Sequence, residues 1–162
     1  MTKNGTKQKQ TGVYCSPLGD IVLASDGTAL TGLQFAEATN GEPAQDIPPL
    51  ADACSWLDLY FGGAIPDFTP LLAPQGTPFQ QSVWRELITI PYGQTVSYGH
   101  IAQRLRCRSA QAVGGAVGRN PIALIIPCHR VIGSNGQLTG YAYGLDRKQW
   151  LLSHETQHIG KP

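Results

Sequence analysis

The stretch IIPCHRVIG, residues 125–133, places a cysteine and a histidine side by side within an apolar frame. A cysteine reacts as its thiolate, a soft nucleophile that a nearby base or positive charge must make available. His129 and Arg130 follow Cys128 directly, and Glu155 is a candidate to orient the histidine from further along the chain. These residue types in this order predict a reactive Cys-His-Glu set on a rigid support, rather than a cysteine that only fills the core.

The other three cysteines, Cys15, Cys54 and Cys107, are widely spaced, and the sequence contains no CxxC pair. Such spacing argues against a disulfide framework or a structural zinc site, and it favours a reducing cytoplasm. A zinc deaminase is excluded because no second cysteine follows Pro127-Cys128 at the required spacing. The local cysteine signature of papain-like proteases is also absent from the sequence.

Charge is distributed unevenly along the 162 residues, although the net charge is only +1. Residues 1–75 carry three lysines and eight acids, a balance of −5, whereas residues 76–162 carry nine Lys or Arg and three acids, a balance of +6. A basic half beside an acidic half is typical of a nucleic-acid-binding segment. The polar start of the chain does not resemble a signal peptide, and no apolar run reaches the ~18 residues of a membrane span.

The first half is predicted to form a small antiparallel meander followed by one helix. Strands are expected near 11–15, 21–25 and 30–35. The segment PPLADACSWLDLYFGG has the pattern of an amphipathic helix that ends at two glycines. A linker over 64–76 follows, so the predicted domains are 1–75, with a polar tail at 1–10, and 76–162.

The second half opens with the start signal of a helix. Thr77 and Gln80 match a capping box with proline between them at the first helical position. The apolar residues of this helix should then face the core as a stripe of Phe79, Val83 and Leu87.

Two short helices are predicted next, over SYGHIAQRLRCRSAQAVGGAVGRNP, with Ser97 and Ser109 as their caps. Their lengths match a helix-turn-helix, but two helices that only pack together would show the same pattern. Gly114 and Gly115 each cost ~1 kcal/mol relative to alanine inside a helix, which indicates close approach of another backbone, either DNA or a packed helix. A strand over IALII then leads to Cys128, and a final helix begins at Asp146.

With these motifs the chain resembles the O6-alkylguanine-DNA alkyltransferases. The similarity lies in IPCHRVIGSNGQLTGYAYGLDRKQWLLSHE, in GTPFQQSVWRELITIPYGQTVSYGHIA and AVGGAVGRNP upstream, and more weakly in SPLGDIVLASDGTALTGLQF. It therefore covers nearly the whole chain. It implies a mixed α/β (α+β) fold, with a small antiparallel ribonuclease-H-like sheet in the N-terminal domain and a mostly helical C-terminal domain that carries the helix-turn-helix.

The resemblance also implies a function. Double-stranded DNA containing O6-alkylguanine would bind through its minor groove, and the damaged base would be flipped into a pocket beside Cys128. The thiolate would take the alkyl group in one irreversible step, so that each molecule works once. The resemblance implies no cofactor, no membrane association, a cytoplasmic location and a monomer in solution, and it leaves cooperativity on DNA open.

Matching the family motifs position by position assigns roles to side chains. Cys128 would be the acceptor, His129 a base that acts through a water molecule, and Glu155 the partner that holds the histidine tautomer. Tyr98 would donate to the departing base, and Asn120 would brace the turn before the cysteine. The implied substrate-binding residues are Val131, Tyr141, Ala142, Tyr143 and Lys148. The implied DNA-binding residues are Arg104, Arg106, Arg108, Gln111, Ala112, Gly114, Arg119 and Arg130.

Two departures from the family pattern matter. Gln111 lies where the family has the arginine that fills the gap left by the flipped base, and Tyr143 lies where the family normally has glycine. Two other functions compete with transfer: an alkyltransferase-like protein that only binds the damaged base, and an unrelated thiol hydrolase. The binding-only relatives usually have tryptophan at the cysteine position, so the presence of Cys128 favours transfer.

Overall fold

The computed structural model describes residues 9–37, 39, 41–44 and 46–159, so most of the polar tail predicted at 1–10 lies outside the described residues. The strands are β1 (Gln10–Ser16), β2 (Gly19–Ser25), β3 (Leu30–Phe35), β4 (Val96–Ser97) and β5 (Val131–Ile132). The helices are α1 (Pro48–Phe61), α2 (Pro78–Ile88), α3 (Tyr98–Arg104), α4 (Ala110–Gly118) and α5 (Leu145–His158). A 3-10 turn spans Cys128–Arg130.

The N-terminal sheet is the predicted meander, with strands in the order β1-β2-β3 and both pairs antiparallel. Alternate residues of β2, including Ile21 and Leu23, are fully buried, as the period-two pattern of a half-covered sheet requires. Leu50 and Leu57 of α1 are buried in the same apolar core. The sheet therefore presents one face to α1, and that helix reaches toward the C-terminal half of the chain.

The helix caps predicted from the sequence are present. Thr77 Oγ1 accepts the backbone N–H of Gln80 at 3.1 Å, and the Gln80 side chain accepts the N–H of Thr77 at 3.0 Å. Ser97 and Ser109 accept the third N–H beyond them, at the starts of α3 and α4. These contacts depend on neighbours within three residues, which explains why the sequence pattern identifies them.

The predicted apolar stripe of α2 is wrong at one position. Val83 and Leu87 are fully buried, whereas Phe79, in the first turn, is 37% exposed. The apolar contact is made instead by Trp84, whose indole N–H donates to the Ala116 carbonyl at 2.9 Å. This bond joins α2 to α4 and sets the position of the second helix of the helix-turn-helix.

The strand predicted over IALII is wrong. Only Ile122 forms a bridge, to Leu33 of β3, and the following residues make tight turns in which Leu124 has φ +69°. The side chain of Asn120 accepts from Ile122 N–H at 3.0 Å and donates to the Ile126 carbonyl at 2.7 Å, which closes the chain on itself. Buried turns have the same apolar composition as a buried strand, so the pattern misled the prediction.

A short parallel pair, β4 with β5, was not predicted from the sequence. Val96 pairs with Val131 and Ser97 with Ile132. Since Tyr98 follows Ser97 directly, this pair brings the start of α3 beside the turn that carries Cys128. In the described part of the chain, every helix is too short or too polar to cross a membrane.

Candidate active site

Cys128 begins the 3-10 turn and is 6% exposed. Burial raises the pKa of its thiol above the ordinary value, and the Asn120 side chain and the charge of Lys148 oppose that rise only in part. The thiol is therefore protonated near neutral pH. It needs a base before it can act as a nucleophile.

His129 follows Cys128 directly, and its orientation is set by Glu155. Both residues are fully buried, and His129 Nε2 lies 2.5 Å from Glu155 Oε2. Within the described part of the chain, the other ring nitrogen, Nδ1, has no hydrogen-bond partner. With the carboxylate ionised, the proton of the neutral ring belongs on Nε2, which leaves a lone pair on Nδ1.

The charge states of this pair follow from their surroundings. Burial lowers the pKa of His129, the nearby charges of Arg130 and Lys148 lower it further, and Glu155 raises it in part. Burial alone would raise the pKa of Glu155. Hydrogen bonds from His129 and Arg130 outweigh it, together with the charge of Arg130 and, in the acidic range where Glu155 titrates, the charge of His129, and they hold that pKa far below its ordinary value. The resting pair is therefore a neutral imidazole against an ionised carboxylate.

Among the described residues Glu155 accepts from four donors, and only His129 was predicted from the sequence. The hydroxyl of Tyr60 donates to Oε2 at 2.7 Å, while the backbone N–H of Gly93 and Nε of Arg130 donate to Oε1 at 2.9 and 2.8 Å. Tyr60 precedes Glu155 by 95 residues and has the pattern of a core aromatic of α1. No local signal in the sequence marks it as a partner of the site.

The prediction that Arg130 contacts DNA is wrong. Its side chain is buried, with Nε on Glu155, Nη1 donating to the Ile90 carbonyl at 2.8 Å and the guanidinium over the ring of Tyr92. Two of the three guanidinium nitrogens, Nε and Nη1, therefore donate within the protein. Arg130 compensates the charge of Glu155 and is not available to a phosphate.

Cys128 opens into a cavity of about 50 Å³. Most of the predicted pocket residues lie in its walls, together with three residues of α4. The wall residues are Tyr98, Gly114, Val117, Gly118, Asn120, Cys128, Gly140, Tyr141, Ala142 and Tyr143. The hydroxyl of Tyr141 is buried without a hydrogen-bond partner among the described residues. A buried hydroxyl in a cavity wall is a group that a ligand can satisfy.

The ring of Tyr143 points into this cavity. It packs edge-on against Tyr141 and against Phe35 of β3, with ring centroids 5.5 and 5.3 Å apart. Burial, followed by the nearby charge of Cys128, raises the pKa of Tyr143 to about 12. Its φ is negative, so the backbone here does not require glycine. The ring therefore narrows the space beside the acceptor sulfur.

Two predicted substrate-binding residues, Val131 and Lys148, lie behind the cavity wall rather than in it. Lys148 is fully buried, and its ammonium group donates to the carbonyls of Val131, Thr139 and Gly140 at 2.5, 3.2 and 3.1 Å. The hydroxyl of Tyr98 also donates to Thr139, at 3.0 Å. In this arrangement both groups hold the 139–144 loop, and Tyr98 must exchange partner before it can donate to a substrate.

Most of the predicted DNA-binding residues lie on the outer face of α4 or close to it. Gln111, Ala112 and Arg119 are exposed there and border an open groove of about 480 Å³, with Thr77 and Phe79 on its opposite side. Arg106 and Arg108, in the turn before α4, are also exposed. Arg104 pairs with Glu86 at 2.8 Å and remains 57% exposed.

The glycines of α4 are not required by internal packing. A Cβ added at Gly114 or Gly115 would lie 3.9 Å from the nearest side chain, an ordinary contact, and at Gly118 it would meet nothing within 4 Å. The close helix packing that the sequence left open is therefore not the reason for these residues. Gly114 and Gly118 border the cavity of Cys128, and Gly115 borders the open groove beside α4.

The fold and the site together define a class of protein: a thiol group-transfer protein that acts on nucleic acid. Its nucleophile opens into a cavity that borders the second helix of a helix-turn-helix. Over the described residues, no group of three or more His, Cys, Asp or Glu side chains is placed to hold a metal ion.

Comparison with known proteins defines the family. The ribonuclease-like domain of 6-O-methylguanine DNA methyltransferases matches residues 10–73, and their DNA binding domain matches residues 78–157. The chain belongs to this family, which confirms the predicted resemblance and the mixed α/β fold with its ribonuclease-like N-terminal sheet.

Individual relatives cover almost the whole chain. The methylated-DNA–protein-cysteine methyltransferase of Mycobacterium leprae is 48% identical, over 89% of this chain and 90% of its own length. The Methanosarcina acetivorans protein of the same name is 45% identical, over 88% and 96%. The crystal structure of Mycobacterium tuberculosis OGT in complex with DNA is 44% identical, with a TM-score of 0.82 over 91% of this chain and 93% of that one.

Proposed function

We propose that this protein repairs DNA by direct, irreversible transfer of an alkyl group, chiefly methyl, from O6 of guanine to its own Cys128. The observation that carries the proposal is the buried thiol at a cavity wall, next in sequence to an imidazole held by an ionised carboxylate. Membership of the family supports it, because relatives over nearly the full length are named as methylated-DNA–protein-cysteine methyltransferases.

The chemistry is a displacement at the alkyl carbon. His129 Nδ1 takes the proton of the Cys128 thiol through a water molecule, and Glu155 stabilises the imidazolium that forms. The sulfur lone pair then forms the S–C bond as the C–O6 bond breaks, and its electron pair leaves on the guanine. The departing guanine takes a proton, which we assign to Tyr98 once its hydroxyl has left Thr139. The imidazolium of His129 then loses its proton and the Tyr98 phenolate regains one through solvent, so both side chains return to their neutral forms. No step regenerates the thiol, so one molecule repairs one base.

The remaining pocket residues have supporting roles in this proposal. The buried hydroxyl of Tyr141 and the backbone of Ala142 border the cavity and would contact the flipped base. Asn120 and Lys148 favour the thiolate, since both lower the pKa of Cys128. The carbonyl of Val131 accepts from Lys148 behind the cavity wall, so it would accept from the exocyclic amine of guanine only after the wall has moved.

We propose that α4 enters the minor groove of double-stranded DNA. Arg106, Arg108 and Arg119 would bind phosphates, with Arg104 at the edge of the surface, and Ala112 and Gly114 would lie against the backbone. Gln111 would fill part of the space of the flipped base, with less stacking surface and no charge compared with arginine. Flipping costs a few kcal/mol, and less for a mispaired base, which contributes to selectivity.

The wider organisation is part of the same proposal. The division into domains at 1–75 and 76–162 is supported by the separate family matches on either side of it. We propose a cytoplasmic protein that is monomeric in solution and uses no cofactor. Mass spectrometry after incubation with O6-methylguanine duplex should find one added methyl group per molecule, on the peptide that contains Cys128. A protein that binds the duplex but gains no mass would be a recognition protein instead.

Changing Gly115 to alanine should affect stability and DNA binding in opposite directions. The methyl group meets no close neighbour, so the free energy of unfolding should rise by up to ~1 kcal/mol through helix propensity. Affinity for undamaged duplex at constant salt should fall, because the added atom lies on the exposed face of α4. Gln149→Ala, on the exposed face of α5, is the control and should leave affinity unchanged. If Gly115→Ala and the native protein bind the duplex with equal affinity, α4 does not contact the DNA.

Replacing Tyr143 with glycine should widen the range of alkyl groups. The cavity of about 50 Å³ is well below the ~150 Å³ that accepts benzene in an engineered core, so a base with a large substituent enters only if the wall moves. The ratio of transfer rates for free benzylated and methylated guanine should rise by roughly tenfold or more in Tyr143→Gly. Tyr143→Phe keeps the ring and should retain the native ratio. A fast benzyl reaction of the native protein, with no gain in the glycine variant, would refute the narrowing role.

A further inference from the structure

The N-terminal half of the chain contributes a hydrogen bond directly to the catalytic carboxylate. Tyr60 of α1 donates its hydroxyl to Oε2 of Glu155 at 2.7 Å, and His129 Nε2 lies 2.5 Å from that same oxygen. Tyr60 is fully buried, and its ring stacks on Trp56 with centroids 5.3 Å apart and an interplanar angle of 8°. The hydroxyl is therefore held in place by the packing of α1.

Two donors on one carboxylate oxygen share its negative charge. Burial, followed by the charge of Glu155 and the hydrogen bond to it, raises the pKa of Tyr60 well above its ordinary value. The phenol consequently remains protonated and acts only as a donor. Because Oε2 accepts a hydrogen bond from Tyr60, this oxygen stabilises an imidazolium at His129 less strongly than it would without that bond.

We propose that Tyr60 is a positioning residue that keeps His129 neutral in the resting protein, because it shares Oε2 of Glu155 with the imidazole. This inference rests on the proposed function, in which Nδ1 of a neutral His129 accepts the proton of the Cys128 thiol. A histidine that is already protonated at rest has no lone pair for that proton. The hydroxyl of Tyr60 would thus extend the pH range of transfer toward acid.

Other charged or titratable groups face the same pair and remain when Tyr60 is changed. They are Cys128 and Arg130 on the 3-10 turn, Lys148 and His154 on α5, and Tyr92 after α2. Arg130 donates to the opposite carboxylate oxygen, Oε1, together with Gly93. A substitution that removes only the Tyr60 hydroxyl therefore tests the effect of its hydrogen bond to Oε2 separately from the effects of these other groups.

The test compares Tyr60→Phe with Tyr92→Phe in the full-length protein. Tyr92 is a suitable control because its ring lies 6.0 Å from Tyr60, and its buried hydroxyl has no hydrogen-bond partner among the described residues. The ring-nitrogen NMR signals of His129 are followed against pH, together with the rate of methyl transfer to Cys128. In Tyr60→Phe, the protonation midpoint of His129 and the acid limb of the rate profile should both move up by roughly one pH unit.

On the acid limb, transfer by Tyr60→Phe should therefore be slower by about tenfold, whereas the Tyr92→Phe profile should coincide with that of the native protein. An unchanged midpoint in Tyr60→Phe, an equal shift in Tyr92→Phe, or a uniform loss of rate at every pH would overturn the inference. A uniform loss would mean that the hydroxyl only supports the fold.

A second variant keeps the inference testable if Tyr60→Phe does not fold. Difluorotyrosine at position 60 is a stronger donor of nearly the same size, and it should move the His129 midpoint in the opposite direction, toward lower pH. No shift, or an upward shift, would overturn the inference. Transfer by the native protein in the same experiments tests the proposed function separately, so the two conclusions succeed or fail independently.

Discussion

Replacing Cys128 with serine is expected to abolish alkyl transfer and to leave DNA binding intact. Serine is close in size to cysteine, so the 3-10 turn and the cavity should be retained. Its hydroxyl is not ionised by a neutral imidazole and is a poor nucleophile for displacement at an alkyl carbon, so the rate should fall by a factor on the order of 10³ or more. Single-turnover transfer and duplex affinity, measured on the same sample, check both halves of this expectation.

The matched controls for this prediction are Cys54→Ser and Cys107→Ser. Both cysteines are only half-buried and lie away from the cavity of Cys128. Each variant should transfer at the native rate, and the alkylated peptide should still contain Cys128. Alkyl mass on a peptide with Cys54 or Cys107 would show that the acceptor has been assigned wrongly.

Replacing Glu155 with glutamine is expected to destabilise the protein strongly as well as to slow transfer. The change is nearly isosteric, but it leaves the buried Arg130 without its counter-ion, and one side-chain amide group cannot accept from all four donors. Removing one partner of a buried ion pair typically costs about 3–5 kcal/mol. Urea unfolding at neutral pH measures this loss. Glu86→Gln, which breaks the exposed pair with Arg104, should cost less than ~1 kcal/mol.

The pH dependence of stability supplies a second measurement on the same variant. The pKa of Glu155 is lower in the folded protein than its ordinary value of 4.5, so the folded state favours the ionised carboxylate. Its contribution is fully present above pH 4.5 and is lost as pH falls through the folded pKa. The difference in unfolding free energy between native protein and Glu155→Gln should therefore be constant near neutrality and shrink in acid. A difference that grows in acid would contradict the assigned charge state.

Local sequence was sufficient for several features of the fold. The capping box at Thr77 and the serine caps of α3 and α4 form between residues three apart, so their partners are visible in the sequence itself. The strands of the meander were predicted because alternation and turn residues are also short-range signals. The nucleophile was predicted for the same reason, since Cys128 and His129 are adjacent and no folding is needed to bring them together.

Tertiary structure alone decided how the neighbouring residues are used. Arg130 has the sequence context of a DNA-binding arginine, yet packing directs its guanidinium to Glu155 and the Ile90 carbonyl. IALII has the composition of a strand, yet the side chain of Asn120 closes it into turns. In both cases the local pattern allows two outcomes of similar energy, and contacts from other elements select one.

The sequence by itself therefore determined the reactive pair and the elements that carry it. The tertiary structure decided which groups surround that pair and in which direction Tyr143 points. Glu155 receives Tyr60 from α1 and Gly93 from the loop after α2, and Tyr143 packs on Phe35 of β3. These contacts join residues tens of positions apart whose side chains have ordinary core patterns. The packing of the helices and the sheet decides which of these residues meet. That packing depends on distant parts of the chain, so no short segment of the sequence reveals it.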